Sequence, residues 1–478
     1  MGNTSNSLAM RRINKLVDEN SFLEVGAQIT ARNTDFNLNV QKQASDGVIC
    51  GYGLINENLV FIYSQDVTVL NGTIGEMHAK KIAGIYDMAV KMGAPVIGLI
   101  DCGGIRLQES LDALDGLGAI YMKQSHASGV IPQISAVFGN CGGGLTTVAA
   151  LCDFCFIEKD KGRMFVNPPN AIQGNKVEAC DTAAPEYQAK ETGMIDLVSS
   201  EDEILYSIRE LIGFLPGNNG TGGEVIECVD DLNRLTPNVE LQKEDPRLVL
   251  RDISDCNVFF ETKRDYAQCM VTGFIKMNGI TVGAVANATA FYDEEGIKSK
   301  EFDAVLSTRG CKKASEFIDF CNAFDIPLLT LSNVTGYKAT MCSEHTIGKS
   351  MAKLTYAFAN ADIPKVTLIM GEAFGSAYVT MNSKSIGADI VYAWPNARIG
   401  MMDAVIAAKI MYPDANSEEI ERVTKEYEEL QSSVISAAKH GHVDKIIDTA
   451  QTRKYLLAAF ELLYTKSTGN IGKKHGTK

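Results

Sequence analysis

The sequence predicts an α/β protein built of two homologous domains in tandem, and three observations predict it. First, Lys80-Lys81, Pro95, Pro132, Gly139 and Gly143 recur as Lys312-Lys313, Pro327, Pro364, Gly371 and Gly375, each 232 positions later, as 312 stands after 80. The text between the markers agrees in kind. Ala94-Pro95-Val96-Ile97 answers Ile326-Pro327-Leu328-Leu329, and Val130-Ile131-Pro132-Gln133-Ile134 answers Asp362-Ile363-Pro364-Lys365-Val366. Solenoid units run to roughly 20–50 residues, so a period this long makes each copy a whole domain. Second, short apolar strands alternate with helical stretches in both copies, the pattern of stacked right-handed ββα or βα units. Third, the Gly/Asn-rich stretch from Leu215 to Gly223 has the composition of a linker and falls between the copies. The expected division is 1–222 and 223–478.

The elements follow in order. Residues 10–23 read as an amphipathic helix with Ile13, Leu16 and Val17 on one face. Residues 47–64 read as paired strands, with Gly51 and Gly53 as turns. A helix over 76–91 stops at Gly93, a C′ glycine. Pro95 opens an apolar strand over 96–100. A helix over 116–127 and a strand over 131–138 lead to a glycine turn over 139–144 and a short helix over 145–151. The second copy has strands over 273–286, 327–332 and 364–370, a turn over 371–377, and a helix from Tyr378. Residues 417–439 form a charged helix, read as a solvated face. The tail around Lys473-Lys474-His475 is expected to fray.

Bulk properties narrow the function. The 478 residues are 45% hydrophobic and 22% charged, enough for two or three domains with ample core. The net charge of −14 argues against nucleic acid, whose phosphates need a basic face. A small phosphorylated ligand held by local Lys and Arg stays open. Residues 1–7 are polar, and no apolar run reaches the roughly 18 residues of a membrane helix. The 12 cysteines stand singly in apolar segments, which suits a reducing cytoplasm. Cys152-Asp153-Phe154-Cys155 lacks a second ligand pair, so it reads as buried packing rather than a zinc site. No metal is expected.

No G-x-S-x-G elbow and no H-E-x-x-H is present. Gly139-Asn140-Cys141-Gly142-Gly143-Gly144 lacks the Lys-Ser/Thr that closes a P-loop. What remains is two matched glycine turns at strand ends, each opening a helix. Small residues there let backbone N–H groups converge on one point, which makes an oxyanion hole out of main chain. Composition alone fits tight packing equally well; retention of the turn in both copies favours the hole.

The same residues carry a resemblance. Arg12-Ile13 through Leu16, Asp18-Glu19, Ser21-Phe22 and Glu24 is similar to the opening of the biotin-dependent acyl-CoA carboxyltransferases. So are Gly72-Thr73-Ile74-Gly75-Glu76-Met77-His78 and Lys80-Lys81-Ile82. Asp101-Cys102-Gly103-Gly104-Ile105-Arg106-Leu107-Gln108-Glu109 resembles that family's D-S-G-G-A-R-I-Q-E. Ala127-Ser128-Gly129-Val130-Ile131-Pro132-Gln133-Ile134-Ser135 resembles its counterpart nearly unchanged, and Ala373-Phe374-Gly375-Ser376-Ala377-Tyr378 resembles A-Y-G-G-A-Y. Tyr392-Ala393-Trp394-Pro395 and the stretch from Asp444 through Ile446-Ile447-Asp448 to Arg453 also match.

The resemblance implies two tandem crotonase-like domains, each a ββα superhelix. It assigns Gly143 and Gly144 to the thioester oxygen of an acyl-CoA, and Ser376 and Ala377 to the ureido oxygen of biotin. It assigns substrate contacts to Gly103, Gly104, Arg106, Gly142, Tyr378 and Val379, with Val379 lining the acyl pocket. Family sites combine domains of different subunits, so a homo-oligomer from dimer to hexamer is implied. Val90-Lys91-Met92 lacks the flanks of a biotinylation signal, so biotin is expected on a separate carrier protein. A biotin carboxylase or a membrane decarboxylase subunit is the further partner. Short acyl-CoAs are the implied substrates, propionyl and methylmalonyl first, then acetyl and malonyl. Whether carboxylation or decarboxylation is the working direction stays open. Two other readings stand beside this one. One is a crotonase-type hydratase or isomerase, which would need a Glu-type base and only one domain. The other is a carboxyltransferase-like scaffold without activity. The latter is motivated by two departures, Ser376 for the second glycine of A-Y-G-G and Thr335-Gly336-Tyr337-Lys338-Ala339-Thr340 for P-G-F-x-P-G; a further departure is Met402-Asp403-Ala404 for M-G-A.

Overall fold

The computed structural model describes residues 7–34, 45–220 and 227–466. The chain divides into two compact units, residues 1–223 with 263–266, and residues 224–262 with 267–478. The short 263–266 segment, which the linker position did not foretell, joins the first unit because the Lys263 N–H donates to Asp196 Oδ1 (3.1 Å) and the Arg264 N–H to Asp196 O (3.3 Å).

The first unit runs α1 (Leu8–Leu16), β1 (Leu23–Val25), β2 (Val48–Ile55), β3 (Asn58–Gln65), α2 (Glu76–Met92), β4 (Val96–Ile100), α3 (Ser110–Ala127), β5 (Gln133–Val137), β6 (Asn140–Gly142), α4 (Leu145–Ala150), β7 (Phe154–Glu158), β8 (Arg163–Phe165), α5 (Pro185–Tyr187), β9 (Leu197–Ser199) and α6 (Glu201–Ile212). Its main sheet has the order β1-β2-β3-β4-β5-β7-β9, antiparallel through β3 and parallel beyond. A small parallel pair, β6 with β8, stands apart from it. Every residue of β4, β5 and β7 is buried, as expected of parallel strands covered on both faces.

The second unit repeats the plan. It runs α7 (Pro246–Ile253), β10 (Phe259–Thr262), β11 (Met270–Met277), β12 (Ile280–Asn287), β13 (Ala290–Tyr292), β14 (Lys298–Glu301), β15 (Val305–Leu306), α8 (Thr308–Ala323), β16 (Leu328–Val334), β17 (Gly336–Tyr337), α9 (Met341–Glu344), α10 (Ile347–Asn360), β18 (Lys365–Phe374), α11 (Gly375–Thr380), β19 (Ile390–Ala393), β20 (Arg398–Gly400), α12 (Ala404–Met411), α13 (Ser417–Tyr427), α14 (Val434–Lys439), β21 (Lys445–Ile446) and α15 (Thr452–Leu463). The sheet order is β10-β11-β12-β16-β18-β19-β21, and β20 pairs with the far end of β18 as β8 pairs with β6. Register is preserved along with order. Val96 pairs with Gln133 and Leu328 with Lys365, both partners displaced by the same 232 positions.

Carboxylates lock the parallel strands at matching places. The Gln133 N–H donates to Asp153 Oδ2 and the Lys365 N–H to Asp389 Oδ2, each at 2.8 Å. One strand further on, the Cys155 N–H donates to Asp196 Oδ2 (2.8 Å) and the Val391 N–H to Asp444 Oδ2 (2.7 Å). These four aspartates satisfy backbone donors that would otherwise be orphaned at strand starts.

Several expected boundaries move. The first helix is α1, ending at Leu16 rather than 23. The Asp18 carboxylate accepts the Asn56 and Glu57 N–H groups (3.1 and 3.0 Å), and this pins the chain to the β2–β3 turn instead. Gly51 and Gly53 are interior to β2, not turns; a Cβ on Gly51 would strike Leu23 O and the Phe22 ring, so the glycine admits β1. Residues 273–286 are a hairpin rather than one strand, turned by Asn278 (φ 52°) and Gly279 (φ 75°). That Asn-Gly pair was a readable type I′ signal. The second-copy strand runs on to Phe374, so its turn is shorter than 371–377, and the helix begins at Gly375. The charged helix breaks into α13 and α14 at a π turn over Glu428–Ser432. The 473–475 tail lies outside the described residues. Among the described residues no helix is long and apolar enough to cross a membrane.

Candidate active site

Both copies close on the same turn. β6 ends at Gly142, Gly143 takes φ +61°, Gly144 returns to the right-handed region (φ −59°, ψ −23°), and α4 begins. In the second copy β18 ends at Phe374, Gly375 takes φ +62°, and α11 continues in helical conformation. A left-handed residue followed by a right-handed one turns successive N–H groups toward one point, a nest for negative charge. Glycine at 143 and 375 is what the left-handed region calls for.

The glycines before the turn are there for packing. A Cβ on Gly139 would strike the Asp101 carboxylate, and one on Gly371 would sit 2.5 Å from Asn333 Oδ1. Asp101 and Asn333 are themselves repeat partners. A Cβ on Gly142 would sit 2.7 Å from the Phe165 ring, so that glycine seats β8 rather than a ligand.

The donors can be followed one at a time. The Gly143 N–H is engaged, donating to Phe165 O at 2.8 Å, and Thr146 Oγ1 donates to the same oxygen at 2.8 Å. The N–H groups of Gly144 and Leu145 have no acceptor among the described residues. In the second copy the same holds for Ser376 and Ala377, and these stand 232 positions after Gly144 and Leu145. The repeat spacing thus pairs Leu145, which the sequence reading did not name, with Ala377. Gly143 contributes the bend and Gly144 with Leu145 the unpartnered amides. Ser376 lies outside the left-handed region, so the glycine-to-serine departure costs no backbone strain.

A tyrosine hydroxyl holds each turn from behind. Tyr121 of α3 donates to Gly144 O, and Tyr337 of β17 donates to Ser376 O (3.1 Å). Burial raises the Tyr337 pKa, so its hydroxyl stays protonated across the physiological range.

The remaining expected residues divide. The Gly103–Gly104 turn abuts β6, since the Cys102 N–H donates to Asn140 O at 3.0 Å. Gly104 (φ +104°) has nothing within 4 Å of where a Cβ would stand, so it borders open space. Arg106 does not. It is 2% exposed and braces the loops behind that turn, reaching Asp46 (2.5 Å), Glu109 (2.8 Å) and Thr73 O (2.7 Å). A guanidinium so engaged is a structural tie, not a ligand contact. Tyr378 packs into an apolar cluster with Ile369, Val391 and Ile399, whereas Val379 is 37% exposed beside it.

The altered loop is ordered by hydrogen bonds that prolines could not make. Thr335 donates through both N–H (2.7 Å) and Oγ1 (3.0 Å) to Ala304 O. Residues Gly336 and Tyr337 pair with Val305 and Leu306. Thr340 and Ser343 form a capping box for α9. Likewise Asp403 caps α12, its Oδ1 accepting from Val405 (3.0 Å) and Ile406 (3.3 Å). Val90-Lys91-Met92 lies in the last turn of α2. Cys152 and Cys155 are free thiols, and burial pushes the Cys155 thiol up to about 12.

Two tandem units, each carrying a turn with unpartnered amides, have the crotonase-like plan. Known proteins supply the family. The carboxyl transferase domain profile matches residues 3–477. The propionyl-CoA carboxylase beta chain of Roseobacter denitrificans is 38% identical over 481 residues, covering 98% of this chain and 92% of that one. The methylmalonyl-CoA decarboxylase subunit alpha of Propionigenium modestum is 37% identical over 490 residues, with the same coverage. A crystal structure of transcarboxylase 12S, described as a hexamer assembly with hydrolysed methylmalonyl-coenzyme A bound, superposes with a TM-score of 0.91 at 34% identity, over 98% of this chain and 92% of that one. The chain belongs to the carboxyl transferase family and is an acyl-CoA carboxyltransferase of the biotin-dependent class. Family membership sets aside the hydratase or isomerase reading.

Proposed function

We propose that this chain is the carboxyltransferase subunit that moves a carboxyl group between biotin on a separate carrier protein and the α-carbon of a short acyl-CoA, with propionyl-CoA and methylmalonyl-CoA first in preference. The observation that supports it most is the duplicated turn, with unpartnered amides at Gly144 and Leu145 and again at Ser376 and Ala377. In this reading Gly144 and Leu145 donate to the thioester oxygen, where charge builds as the α-carbon loses its proton or carboxyl group. Ser376 and Ala377 would hold the ureido oxygen of biotin, which when bound supplies or accepts the carboxyl group. Preformed donors of this kind stabilise charge without reorganising, and one is worth about 2.7–4 kcal/mol of barrier. Gly104 and Val379 complete the acyl-CoA contacts, while Gly142 and Arg106 act behind the site.

The subunit is proposed to work as a homo-oligomer, from dimer to hexamer, in the cytoplasm. Its partners are a biotin carboxyl carrier and a biotin carboxylase or membrane decarboxylase subunit. The scaffold reading loses its motive, because Ser376 lies outside the left-handed region and the 335–340 loop is held by hydrogen bonds at Thr335, Tyr337, Lys338 and Thr340. A coupled assay decides: purified protein, free biotin and a panel of acetyl-, propionyl- and butyryl-CoA with their carboxylated forms. Transfer with a propionyl or methylmalonyl preference is expected. No transfer on any thioester would sink the proposal. Sedimentation is expected to give a multiple of the 51.8 kDa chain mass; full activity at monomer mass would refute the oligomer.

A further inference from the structure

We infer that Tyr337 is a positioning residue of this carboxyltransferase, tethering the turn that presents the Ser376 and Ala377 amides. The inference rests on the biotin-side reading of that turn and goes beyond it, since Tyr337 touches no substrate group.

The hydroxyls form a one-way chain. Tyr337 Oη donates to Ser376 O (3.1 Å), which obliges it to accept from Thr380 Oγ1 (2.8 Å). Thr380, 4% exposed, in turn accepts from Thr355 Oγ1 (3.2 Å). Each hydroxyl has one proton to give, so fixing the first donor fixes the direction of the rest. The relay ties β17 and α10 to both ends of the short helix α11. Because a peptide is planar, fixing the Ser376 carbonyl also fixes the Ala377 N–H on the same plane.

The tether departs from the resembled pattern. Tyr337 stands where the resembled pattern P-G-F-x-P-G has phenylalanine, and the prolines that would stiffen that loop are Thr335 and Ala339 here. The hydroxyl supplies a bond that phenylalanine cannot make, in a loop that lacks proline rigidity. The first copy reached the same solution from a different place. Tyr121 donates to Gly144 O, the carbonyl that matches Ser376 O, yet the residue 232 positions after Tyr121 is Lys353. The brace was not inherited through the duplication, which marks the carbonyl itself as the point being held.

The test compares Tyr337→Phe and Tyr121→Phe with wild type in the intact oligomer, by peptide-level amide hydrogen exchange and by transfer kinetics with methylmalonyl-CoA as carboxyl donor and free biotin as acceptor, which releases propionyl-CoA and carboxybiotin. Tyr337→Phe is expected to speed exchange in peptides spanning 371–383 and to leave 139–150 unchanged. It should also lower kcat by about three- to tenfold, the value of one net hydrogen bond, with KM for methylmalonyl-CoA unchanged. Tyr121→Phe should give the reverse exchange pattern. Unchanged exchange over 371–383 in Tyr337→Phe would overturn the tether, whatever the activity. Faster exchange with unaltered kcat in an active enzyme would overturn its positioning role. Faster exchange in a protein whose wild type transfers nothing would leave the tether standing and remove the proposed function instead.

Discussion

The two copies share their backbone devices and differ in how they neutralise them. Asp153 and Asp389 each accept the N–H of the next strand at 2.8 Å, yet their surroundings diverge. Asp389 is paired with Lys466 at 2.9 Å. Asp153 has no ion pair among the described residues, and burial pushes its pKa up to about 7. At the donating residue the order is reversed. Gln133 is neutral and sends Nε2 to Gln124 O (3.0 Å), while its counterpart Lys365 sends Nζ to Phe358 O (2.6 Å), and burial pulls its pKa down to about 8. One copy thus carries a lone acid and the other a small charged cluster. Hydrogen-bond geometry was held through divergence, and charge was free to change wherever a partner could be found.

The comparison breaks most visibly at the turns. Gly143→Val should lower transfer by about 100-fold or more, because a β-branched residue does not sustain φ +61° and the nest would open. Folding should survive, since a Cβ there meets nothing within 4 Å. Gly375→Val should cost similar activity and somewhat more stability, because Met401 O stands 3.2 Å from its Cβ. Near wild-type kcat in either variant would show that its turn is packing alone.

Selectivity is expected to sit in the second copy. Val379 is exposed beside the Ser376–Ala377 amides, where an aliphatic side chain favours a larger or branched acyl group over acetyl. Val379→Asp should shift the kcat/KM ratio between butyryl- and acetyl-CoA by about 10–200-fold. An identical ranking of acyl-CoAs in variant and wild type would remove Val379 from the pocket.

The smallest effects concern the aspartates, and their signs should be opposite. With its folded pKa raised to about 7, Asp153 binds a proton in the folded chain that the unfolded chain has already lost. Stability therefore falls as pH rises from about 4 toward 7. Asp153→Asn keeps an acceptor for the Gln133 N–H and should stabilise on the order of 2 kcal/mol at pH 8, with little change at pH 4.5. Asp389→Asn should destabilise by about 1 kcal/mol at pH 8, because Lys466 loses its partner. Denaturant melts of both at the two pH values check this; equal signs would erase the contrast between the copies.

Much of this was legible beforehand. Lys80, Pro95, Pro132 and Gly143 with their counterparts reported the duplication, and the Gly93 stop and the strand over 96–100 were readable from local chemistry. The unread parts depend on contacts distant in sequence. Gly51 looked like a turn because nothing local says that Leu23 will lie against it. Arg106 looked like a ligand because Asp46, which buries it, is 60 positions away. The aspartate locks were hidden because Asp153 and Asp196 act on strand residues 20 and 41 positions earlier. Tyr121 and Tyr337 could not be matched to each other, since they reach equivalent carbonyls from elements that are not equivalent.

Placing the left-handed bend on Gly143 and Gly375 has one further consequence. The donors that follow are amides, which every residue except proline carries, so the side chain at 376 is free to drift, while Leu145 and Ala377 are held by burial and Gly144 by the nearby Tyr121 hydroxyl. Chemistry of this kind leaves little trace in an alanine scan. Such a scan would pass over Ser376 almost silently and register at Gly143 and Gly375, where it adds a methyl group instead of removing a side chain.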